Sequence, residues 1–306
     1  ERYGIDKPDL RFGMEISDWT AMAGEDAAPF VHDAIAAGGR LRGIVAPGQG
    51  GASRKEIDAM AAAAKAAGAG GLLWARRTAA GWEGQGVKAL GDAALSALAA
   101  EADDLVVAVT GPDRVSSPAL HAVRSMLGAR PGVPRTEEHA FCWVVDFPLF
   151  EQDPETGNWI FTHHPFTRPH PRDVEHFESD PGRCRALHYD AVYNGNELGS
   201  GSIRITDPAL QARVFELLGI DVAEQRRRFG FLLDSLAGGA PPHGGFALGF
   251  DRIAMLLAGA SSLRDVIAFP KTTQARALFE GAPTPIPDQD LDELHIRVEA
   301  SGRGGS

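Results

Sequence analysis

The chain has 306 residues, of which 44% are hydrophobic and 23% charged, and its formal net charge is −11. This length suggests about two domains, and the composition is that of a globular protein, which excludes a disordered or fibrous chain. The acidic balance argues against nucleic-acid binding by bulk charge alone but leaves room for a local basic surface.

No apolar run of about 18 residues occurs, so no membrane span is expected. The two cysteines, Cys142 and Cys184, have neither the spacing of a zinc site nor that of a disulfide framework, which fits a reducing cytoplasm. No secretory leader pattern opens the chain. The first residue is Glu1 rather than Met, so we expect a fragment of a longer protein.

Residues 17–135 are rich in alanine and glycine and predict alternating helices and strands. Ser53 and Glu56 form a capping-box pattern, which predicts a helix through Ala67 that Gly68 ends. The pattern leaves both an α+β and an α/β module open. The other predicted elements are strands at 71–75 and 104–109 and a helix at 92–101. Ser116 or Ser117 is predicted to cap a further helix through about Leu127, with Pro118 near its first turn, and a linker follows at 128–136.

From about residue 138 the chain is richer in aromatic residues, histidines and paired charges. Residues 140–150 predict a strand that forms a hairpin with 159–162. Asp207 followed by Pro208 predicts the start of a helix that runs to residue 218. A second helix is predicted at 223–236, a glycine-rich strand at 244–249, a helix from about Asp251, and disorder at 301–306.

The most informative segment is YDAVYNGNELGSGSIR, residues 189–204. Asn194-Gly195 predicts a type I′ hairpin turn, which places Val192 opposite Glu197. Asp190 then lies on the same face, diagonal to Glu197. Two carboxylates on one face repel each other unless a cation lies between them, and a phosphate-carrying Mg²⁺ is the natural occupant. On spacing alone, an exposed hairpin with solvated charges is the favoured interpretation.

Arg204 comes seven residues after Glu197, so in a regular strand its side chain would lie on the other face. The glycines of 199–201 can hold a β-bulge that changes the phase of the strand. We predict such a bulge, or an equivalent kink, which would bring Arg204 to the face of the two carboxylates.

Three further features each have a functional and a structural interpretation. His163 and His164 would point to opposite faces of a strand, so one ring could enter a site, although a histidine pair before a proline is more typical of a loop. The junction GGFALGFDR, residues 244–252, suits either close ligand approach and anion binding or tight strand–helix packing. The cluster Arg226, Arg227 and Arg228 suits a solvated helix face or, as the minor interpretation, a tRNA phosphate contact.

Taken together, five segments in order resemble one family. They are RYGIDKPDLR (2–11), HHPFT (163–167), residues 189–204, the segment GFALGFDRIAMLLAG (245–259) and RDVIAFPKTT (264–273). The chain resembles the C-terminal part of a bacterial-type aspartyl-tRNA synthetase, a class II enzyme. The first segment is similar to the one that follows class II motif 2, and the region from about residue 16 to 135 resembles the inserted GAD domain, which the family shares with an amidotransferase subunit.

The resemblance implies an α+β fold with a class II antiparallel sheet flanked by helices, incomplete here, and an inserted α+β GAD domain. The catalytic domain would comprise residues 1–16 and 138–306, and the insertion 17–135. The family's OB-fold anticodon-binding domain, its motif 1, which makes the dimer interface of the full-length enzyme, and its motif 2, whose arginine holds the α-phosphate, have no counterpart in the sequence. We therefore expect an exposed sheet edge, an apolar face prone to aggregation, and an inactive isolated chain.

The family's roles can be transferred to matching positions. His163 would help to close the aspartate pocket, and Arg204 would pair with the side-chain carboxylate of aspartate, rejecting the neutral amide of asparagine. Catalysis would come from positioning and charge stabilisation, without a side chain assigned as acid, base or nucleophile. The remaining roles are Mg²⁺ binding by Asp190 and Glu197, and ATP binding by Glu197, Gly249, Phe250, Asp251 and Arg252.

The implied activity is that of a cytoplasmic ligase of protein biosynthesis that joins L-aspartate to tRNA-Asp, and in some members also to tRNA-Asn, with conversion of ATP to AMP and pyrophosphate. One alternative is a non-catalytic paralogue that binds aspartate and ATP. Another is a related asparagine or lysine synthetase, against which Arg204 and the inserted domain argue.

Overall fold

The computed structural model describes residues 2–277 and 279–298 of the chain. It divides after Ala247 into two compact units. The expectation of disorder at 301–306 lies outside the described residues. Within the described part, no helix has the length and apolarity that a membrane crossing requires.

The N-terminal half of the first unit is built on a five-stranded sheet. Its strands are β1 (Ser17–Asp18), β2 (Arg40–Ala46), β3 (Leu73–Thr78), β4 (Gly81–Glu83) and β5 (Leu105–Gly111), in the order β1-β2-β5-β3-β4. Each pair of neighbours runs antiparallel, which decides for α+β over α/β in this region.

Both faces of this sheet are buried. Along β5, Leu105, Val107 and Val109 belong to one hydrophobic cluster, whereas Val106 and Ala108 belong to a second. This alternation explains why the strand is apolar throughout rather than at every second position. The helices that cover the sheet are α1 (Pro29–Ala36), α2 (Arg54–Ala66), α3 (Gly86–Ala97) and α4 (Asp113–Gly128).

The capping signals place α2 correctly. The Ser53 hydroxyl accepts a hydrogen bond from the Glu56 backbone N–H, and the Glu56 carboxylate accepts one from the Ser53 N–H. Gly68 follows the helix with a φ of +98°. The predicted capping box and glycine stop are confirmed.

The prediction that α4 starts at 116 or 117 is wrong by one helical turn. Its N-cap is Pro112, and Pro118 lies inside the helix. The hydroxyls of Ser116 and Ser117 accept hydrogen bonds from the buried Arg42 guanidinium instead of capping the helix. Ser116 and Ser117, which the local sequence predicts as helix caps, therefore form a tertiary contact with Arg42 instead.

The predicted helix 92–101 corresponds to the second half of α3. Gly91 is non-helical, with φ +79° and ψ 161°, and the helix begins again at Asp92. The carboxylate of Asp26 accepts hydrogen bonds from the backbone N–H groups of Asp92 and Ala93, so a distant residue caps the second segment. The first segment, from Gly86, was missed, and the helix ends at Ala97 rather than at residue 101.

The remainder of the first unit carries a four-stranded sheet and a hairpin. The sheet consists of β6 (Phe141–Val145), β9 (His188–Tyr193), β10 (Asn196–Ile203) and β11 (Gly244–Leu248), in the order β11-β10-β9-β6, and the hairpin of β7 (Phe150–Gln152) and β8 (Trp159–Phe161). Two helices follow β10, namely α5 (Pro208–Leu217) and α6 (Val222–Ala237), close to their predicted positions.

The predicted strand 140–150 is two strands. Asp146 has a φ of +58°, which no strand residue adopts, and the chain turns there before β7 begins. The predicted hairpin is confirmed for the last part of this segment, because Phe150 pairs with Phe161.

Strand β6 lies at the edge of its sheet, as expected, and one face of it is apolar and open. Phe141, Trp143 and Val145 alternate along the strand and are 67%, 61% and 57% exposed. The second unit contains α7 (Phe250–Leu257) and the short α8 (Asp288–Glu293).

Candidate functional site

The β9–β10 hairpin has the predicted geometry. Asn194 and Gly195 have φ values of +47° and +82°, as a type I′ turn requires. Val192 is paired with Glu197. The Asn194 side chain accepts a hydrogen bond from the Ala140 N–H and donates one to the Glu138 carbonyl, which fixes the turn against the start of β6.

The predicted β-bulge is present, slightly earlier than expected. The register shifts between Glu197 and Gly199, so that Ser200 is paired with Asp190 and Ser202 with His188. Without the shift, Glu197 and Ser202 would lie on opposite faces of the sheet. The bulge therefore places Asp190, Glu197 and the Ser202 side chain on one face, and Arg204 continues that alternation two residues later.

Asp190 is a buried carboxylate, 4% exposed. Burial, with further contributions from the charges of Glu197 and Asp6, raises its pKa to about 6. Lys7 acts in the opposite direction, and its Nζ lies 3.2 Å from the Glu197 Oε2. The predicted carboxylate pair thus exists as an electrostatically coupled pair, with one ammonium group beside it.

His188, which the sequence analysis did not single out, contacts Asp190 directly. Its Nε2 lies 3.0 Å from the Asp190 Oδ1, and because a carboxylate only accepts, the ring N–H donates. Burial and the neighbouring His163 and His164 lower the pKa of His188 to about 4, so the ring is neutral. The sequence could have predicted this contact, because residues i and i+2 of a strand, here His188 and Asp190, lie on the same face.

The two consecutive histidines have different partners. The His163 ring stacks on the His188 ring with centroids 3.6 Å apart, whereas the His164 Nε2 lies 3.0 Å from Arg204 Nη1. The interpretation that only one ring could enter the site is wrong. The pair follows the end of β8 at Phe161 and lies in a loop, where strand alternation does not apply, so both rings border His188.

Arg204 is held at the end of β10. Its backbone N–H donates to the His243 carbonyl, and it forms an isolated bridge with Thr167. Burial, together with the Arg204 charge, lowers the pKa of His164, so that His164 accepts the guanidinium N–H. Arg204 also lines a mainly apolar cavity of about 490 Å³, whose other walls are Phe166, Ile205, Gln211, Phe231, Leu232, Ser235, Leu236, Ala240 and His243.

His188 connects the two charged groups of the site. Its pKa is raised by the charge of Glu197 and lowered by that of Arg204, so both side chains lie within electrostatic range of one imidazole. Asp190 and His163 contact the same ring directly, through the hydrogen bond to Nε2 and through stacking. An anionic group and a cation can be bound side by side there.

The donor set suits a cation that a ligand brings with it. In residues 2–277 and 279–298, no group of three or more His, Cys, Asp or Glu side chains is arranged to hold a metal ion. Mg²⁺ commonly takes one or two carboxylates and completes its shell with substrate phosphates and water. Asp190 and Glu197 therefore fit a nucleotide-carried Mg²⁺.

The remaining predicted ligand residues belong to the second unit. Gly249 is the N-cap of α7, Phe250 is 80% exposed, and Asp251 lies in the first turn of the helix, followed by Arg252. The N-terminus of an eight-residue helix presents free N–H groups, as the predicted nucleotide-binding role requires.

Three curated relatives of this chain are all named as aspartate–tRNA ligases. The chain is 43% identical over 301 residues to the aspartate–tRNA(Asp/Asn) ligase of Geotalea uraniireducens and 41% identical over 303 residues to that of Caldanaerobacter subterraneus, covering 97% and 98% of this chain. It is 44% identical to the aspartate–tRNA ligase of Geobacillus kaustophilus over 97% of this chain. In all three cases it spans 51% of the relative's length.

The family profile described as "tRNA synthetases class II (D, K and N)" matches residues 1–273. This match includes the β9–β10 hairpin, its bulge and the start of α7. The resemblance of the five sequence segments is thereby confirmed, and the chain belongs to the class II tRNA synthetases of the D, K and N group.

Proposed function

We propose that this chain is the C-terminal part of an aspartate–tRNA ligase and binds L-aspartate and MgATP on the face formed by β9 and β10. The observation that carries the proposal is the β-bulge after Glu197, which places both carboxylates on one face of β9 and β10 and keeps Arg204 in phase with them. Glu197 and Arg204 both lie within electrostatic range of His188. The names of the relatives favour aspartate among the three amino acids of the family.

Arg204 would bind the side-chain carboxylate of aspartate through its planar fork, and His163 would help to close the pocket. The Arg204 guanidinium donates a hydrogen bond to His164, which is neutral and therefore does not balance the positive charge. This contact favours an anionic ligand. The α-carboxylate of aspartate would attack the α-phosphorus of ATP, giving aspartyl-adenylate and releasing pyrophosphate. The terminal ribose hydroxyl of the tRNA would then take the aspartyl group and release AMP.

Asp190 and Glu197 would hold the Mg²⁺ that accompanies ATP, and Glu197 would also border the nucleotide. Bound there, the ion would neutralise phosphate charge and orient the phosphates. It would also relieve the repulsion that raises the pKa of Asp190. Gly249, Phe250, Asp251 and Arg252 would contribute further to ATP binding.

We further propose that residues 1–16 and 138–306 belong to the catalytic domain and that 17–135 form the GAD-type insertion. The separate hydrophobic clusters support the boundary near residue 136, since two draw on residues between 12 and 133 and the third on residues between 144 and 218. The first cluster also includes Phe12, Met14 and Ile16, so the side chains at the end of the N-terminal segment pack with the insertion. The full-length enzyme would act in the cytoplasm as a homodimer on tRNA-Asp, and the names of two of the relatives favour a wider tRNA-Asp/Asn range.

Amino-acid binding by the chain tests the proposal. In calorimetric titrations we expect heat from L-aspartate but not from L-asparagine or L-lysine. Arg204→Leu should weaken aspartate binding by at least about 30-fold, about 2 kcal/mol, because it removes one partner of a desolvated ion pair. Arg204→Lys keeps the charge without the fork and serves as the matched control. Aspartate affinity unchanged in Arg204→Leu would remove aspartate from this pocket.

Aspartate binding by this chain does not imply that it catalyses the reaction, because it spans about half the length of the relatives. We expect ATP–pyrophosphate exchange by the 306-residue chain to stay below detection even where aspartate binds. Exchange above the background set by Arg204→Leu would contradict this expectation. Exchange that remained absent in a full-length protein carrying these residues would favour the non-catalytic paralogue.

A further inference from the structure

We infer that His188 is a positioning residue, whose ring N–H fixes the Asp190 carboxylate in the orientation that receives the divalent cation. The inference rests on the proposed function, because it assigns a role toward the magnesium proposed at Asp190 and Glu197. The distinctive contact is the hydrogen bond between His188 Nε2 and Asp190 Oδ1, 3.0 Å long.

The imidazole is rigidly held. His188 is 8% exposed, stacks on His163 at 3.6 Å, and receives the edge-on contact of Phe147 at 5.0 Å. A ring confined on these sides cannot follow a moving carboxylate, so it holds the Asp190 side chain in one rotamer.

The hydrogen bond also fixes the tautomer. Because Nε2 carries the proton, Nδ1 is an acceptor, and in the described part of the chain this buried nitrogen has no hydrogen-bond partner. The neutral donor engages Oδ1 and leaves Oδ2 to face a ligand. It does so without adding a positive charge that would repel a cation.

The neighbours of Asp190 explain why such a donor is required. The charges of Glu197 and Asp6 both repel the Asp190 carboxylate. Without a fixed partner, the side chain would rotate away from Glu197, and the two carboxylates would no longer face one ion. Groups that hydrogen-bond to metal ligands commonly contribute about 10- to 100-fold to metal affinity.

Three substitutions separate hydrogen bonding from packing. His188→Gln can place an amide N–H close to the position of Nε2. His188→Phe keeps an aromatic ring but has no hydrogen-bond donor. His188→Asn has an amide donor, but its side chain is too short to reach Asp190. The probe is Mn²⁺ alone, titrated into the 306-residue chain and followed by the electron paramagnetic resonance signal of the free ion. Melting temperatures without metal record whether each variant folds.

We expect His188→Phe and His188→Asn to weaken Mn²⁺ binding by about 10-fold or more, and His188→Gln to stay within about threefold of the unsubstituted chain. The reverse order, with Phe retaining affinity and Gln losing it, would show that the ring acts by packing and would overturn the inference. If His188→Phe does not fold, the comparison of Gln with Asn decides in the same way.

Asp190→Asn distinguishes this inference from the proposed function. Mn²⁺ affinity unchanged in Asp190→Asn, or no binding by the unsubstituted chain, would reject the metal site itself and the inference with it. Affinity lost in Asp190→Asn but kept in both His188→Phe and His188→Asn would reject only the role of His188.

Discussion

At the scale of single residues, the site is organised by the burial of a charge beside like charges. Asp190 is 4% exposed and lies in the field of Glu197 and Asp6, with Lys7 as the nearby cation. The magnesium nucleotide proposed to bind there would relieve a repulsion that is already present in the free protein. Lys7 therefore occupies a position next to Glu197 that the proposed ion would have to share or take over.

Part of this site can be predicted from the amino-acid sequence, and the rest cannot, for an identifiable reason. The turn residues and strand periodicity predicted the pairing of Val192 with Glu197 and the need for a bulge before Arg204. The contacts of His163, His164 and His188 depend on a loop that follows β8, whose path is determined by tertiary packing. No local pattern encodes that path.

A well-placed ion pair outside the site gives a pH-dependent prediction. Asp173 receives hydrogen bonds from Arg185 Nε at 2.9 Å and Arg185 Nη2 at 3.0 Å, and these bonds lower its pKa to about 2. Because this pKa is below its unfolded value, the stabilisation is complete above about pH 4 and is lost as the pH falls through about 2.

Asp173→Asn should therefore lower the free energy of unfolding by about 1–2 kcal/mol near neutral pH, after allowance for solvent screening of the half-exposed arginine. Urea unfolding at a series of pH values measures the difference, which should shrink below about pH 4. Asp180→Asn is the control, since Asp180 is half exposed and lies 3.9 Å from its arginine. A difference that is independent of pH would contradict the assignment.

At the scale of secondary-structure elements, β10 and β11 approach so closely that only glycine fits at one position. A Cβ on Gly201 would lie 1.9 Å from the Gly245 carbonyl oxygen and 2.6 Å from the Tyr189 ring. The Tyr189 hydroxyl donates to the same carbonyl, so the three residues form one tight contact. This contact holds β11 against the strand that carries Glu197.

Gly201→Ala is expected to lower the free energy of unfolding by about 2–3 kcal/mol. The added Cβ would clash with the Gly245 carbonyl oxygen, a backbone atom that cannot move away by a change of side-chain rotamer. Gly245→Ala is a matched control in the same contact, since a Cβ there would meet no atom within 4 Å. Chemical denaturation of both variants measures the difference. Equal midpoints for Gly201→Ala and the unsubstituted chain would show that the strands can separate at little cost.

Elements with complete local signals were predicted well, and those that use distant residues were not. The helix α2 has its capping box and stop glycine within its own sequence. The serines that local sequence predicted as caps of α4 bind Arg42, and the second segment of α3 is capped by Asp26, both far away in the chain. In α6, Arg226, Arg227 and Arg228 pair with Glu224 or Asp234, which favours the solvated-face interpretation over a phosphate contact.

At the scale of the whole molecule, a buried arginine joins the N-terminal segment to the five-stranded region. Arg124 is 1% exposed and donates hydrogen bonds to the backbone carbonyls of Asp9, Phe12, Gly13 and Met14. Its guanidinium also lies over the rings of Tyr3 and Phe12, at 4.7 and 4.5 Å. The segment that carries Asp6 and Lys7 is thereby anchored to α4.

Arg124→Lys should lower the free energy of unfolding by about 3 kcal/mol, because one ammonium cannot replace a planar fork that satisfies four carbonyl groups. We also expect faster proteolytic cleavage between Tyr3 and Met14, measured by mass spectrometry during limited digestion. Arg114→Lys, on the same helix, is the control. Cleavage at the original rate would mean that other contacts hold the segment.

The packing of Phe12, Met14 and Ile16 into the same hydrophobic cluster as Leu105 and Leu127 has a consequence for how this protein can be dissected. The Phe12 ring lies so close to Gly128 that a Cβ there would come within 2.2 Å of it. An excised piece beginning at residue 17 would leave a hollow beneath α4 where that ring belongs. A recombinant module that folds on its own should instead begin upstream of Asp9, so that the five-stranded sheet keeps the N-terminal side chains that complete its hydrophobic core.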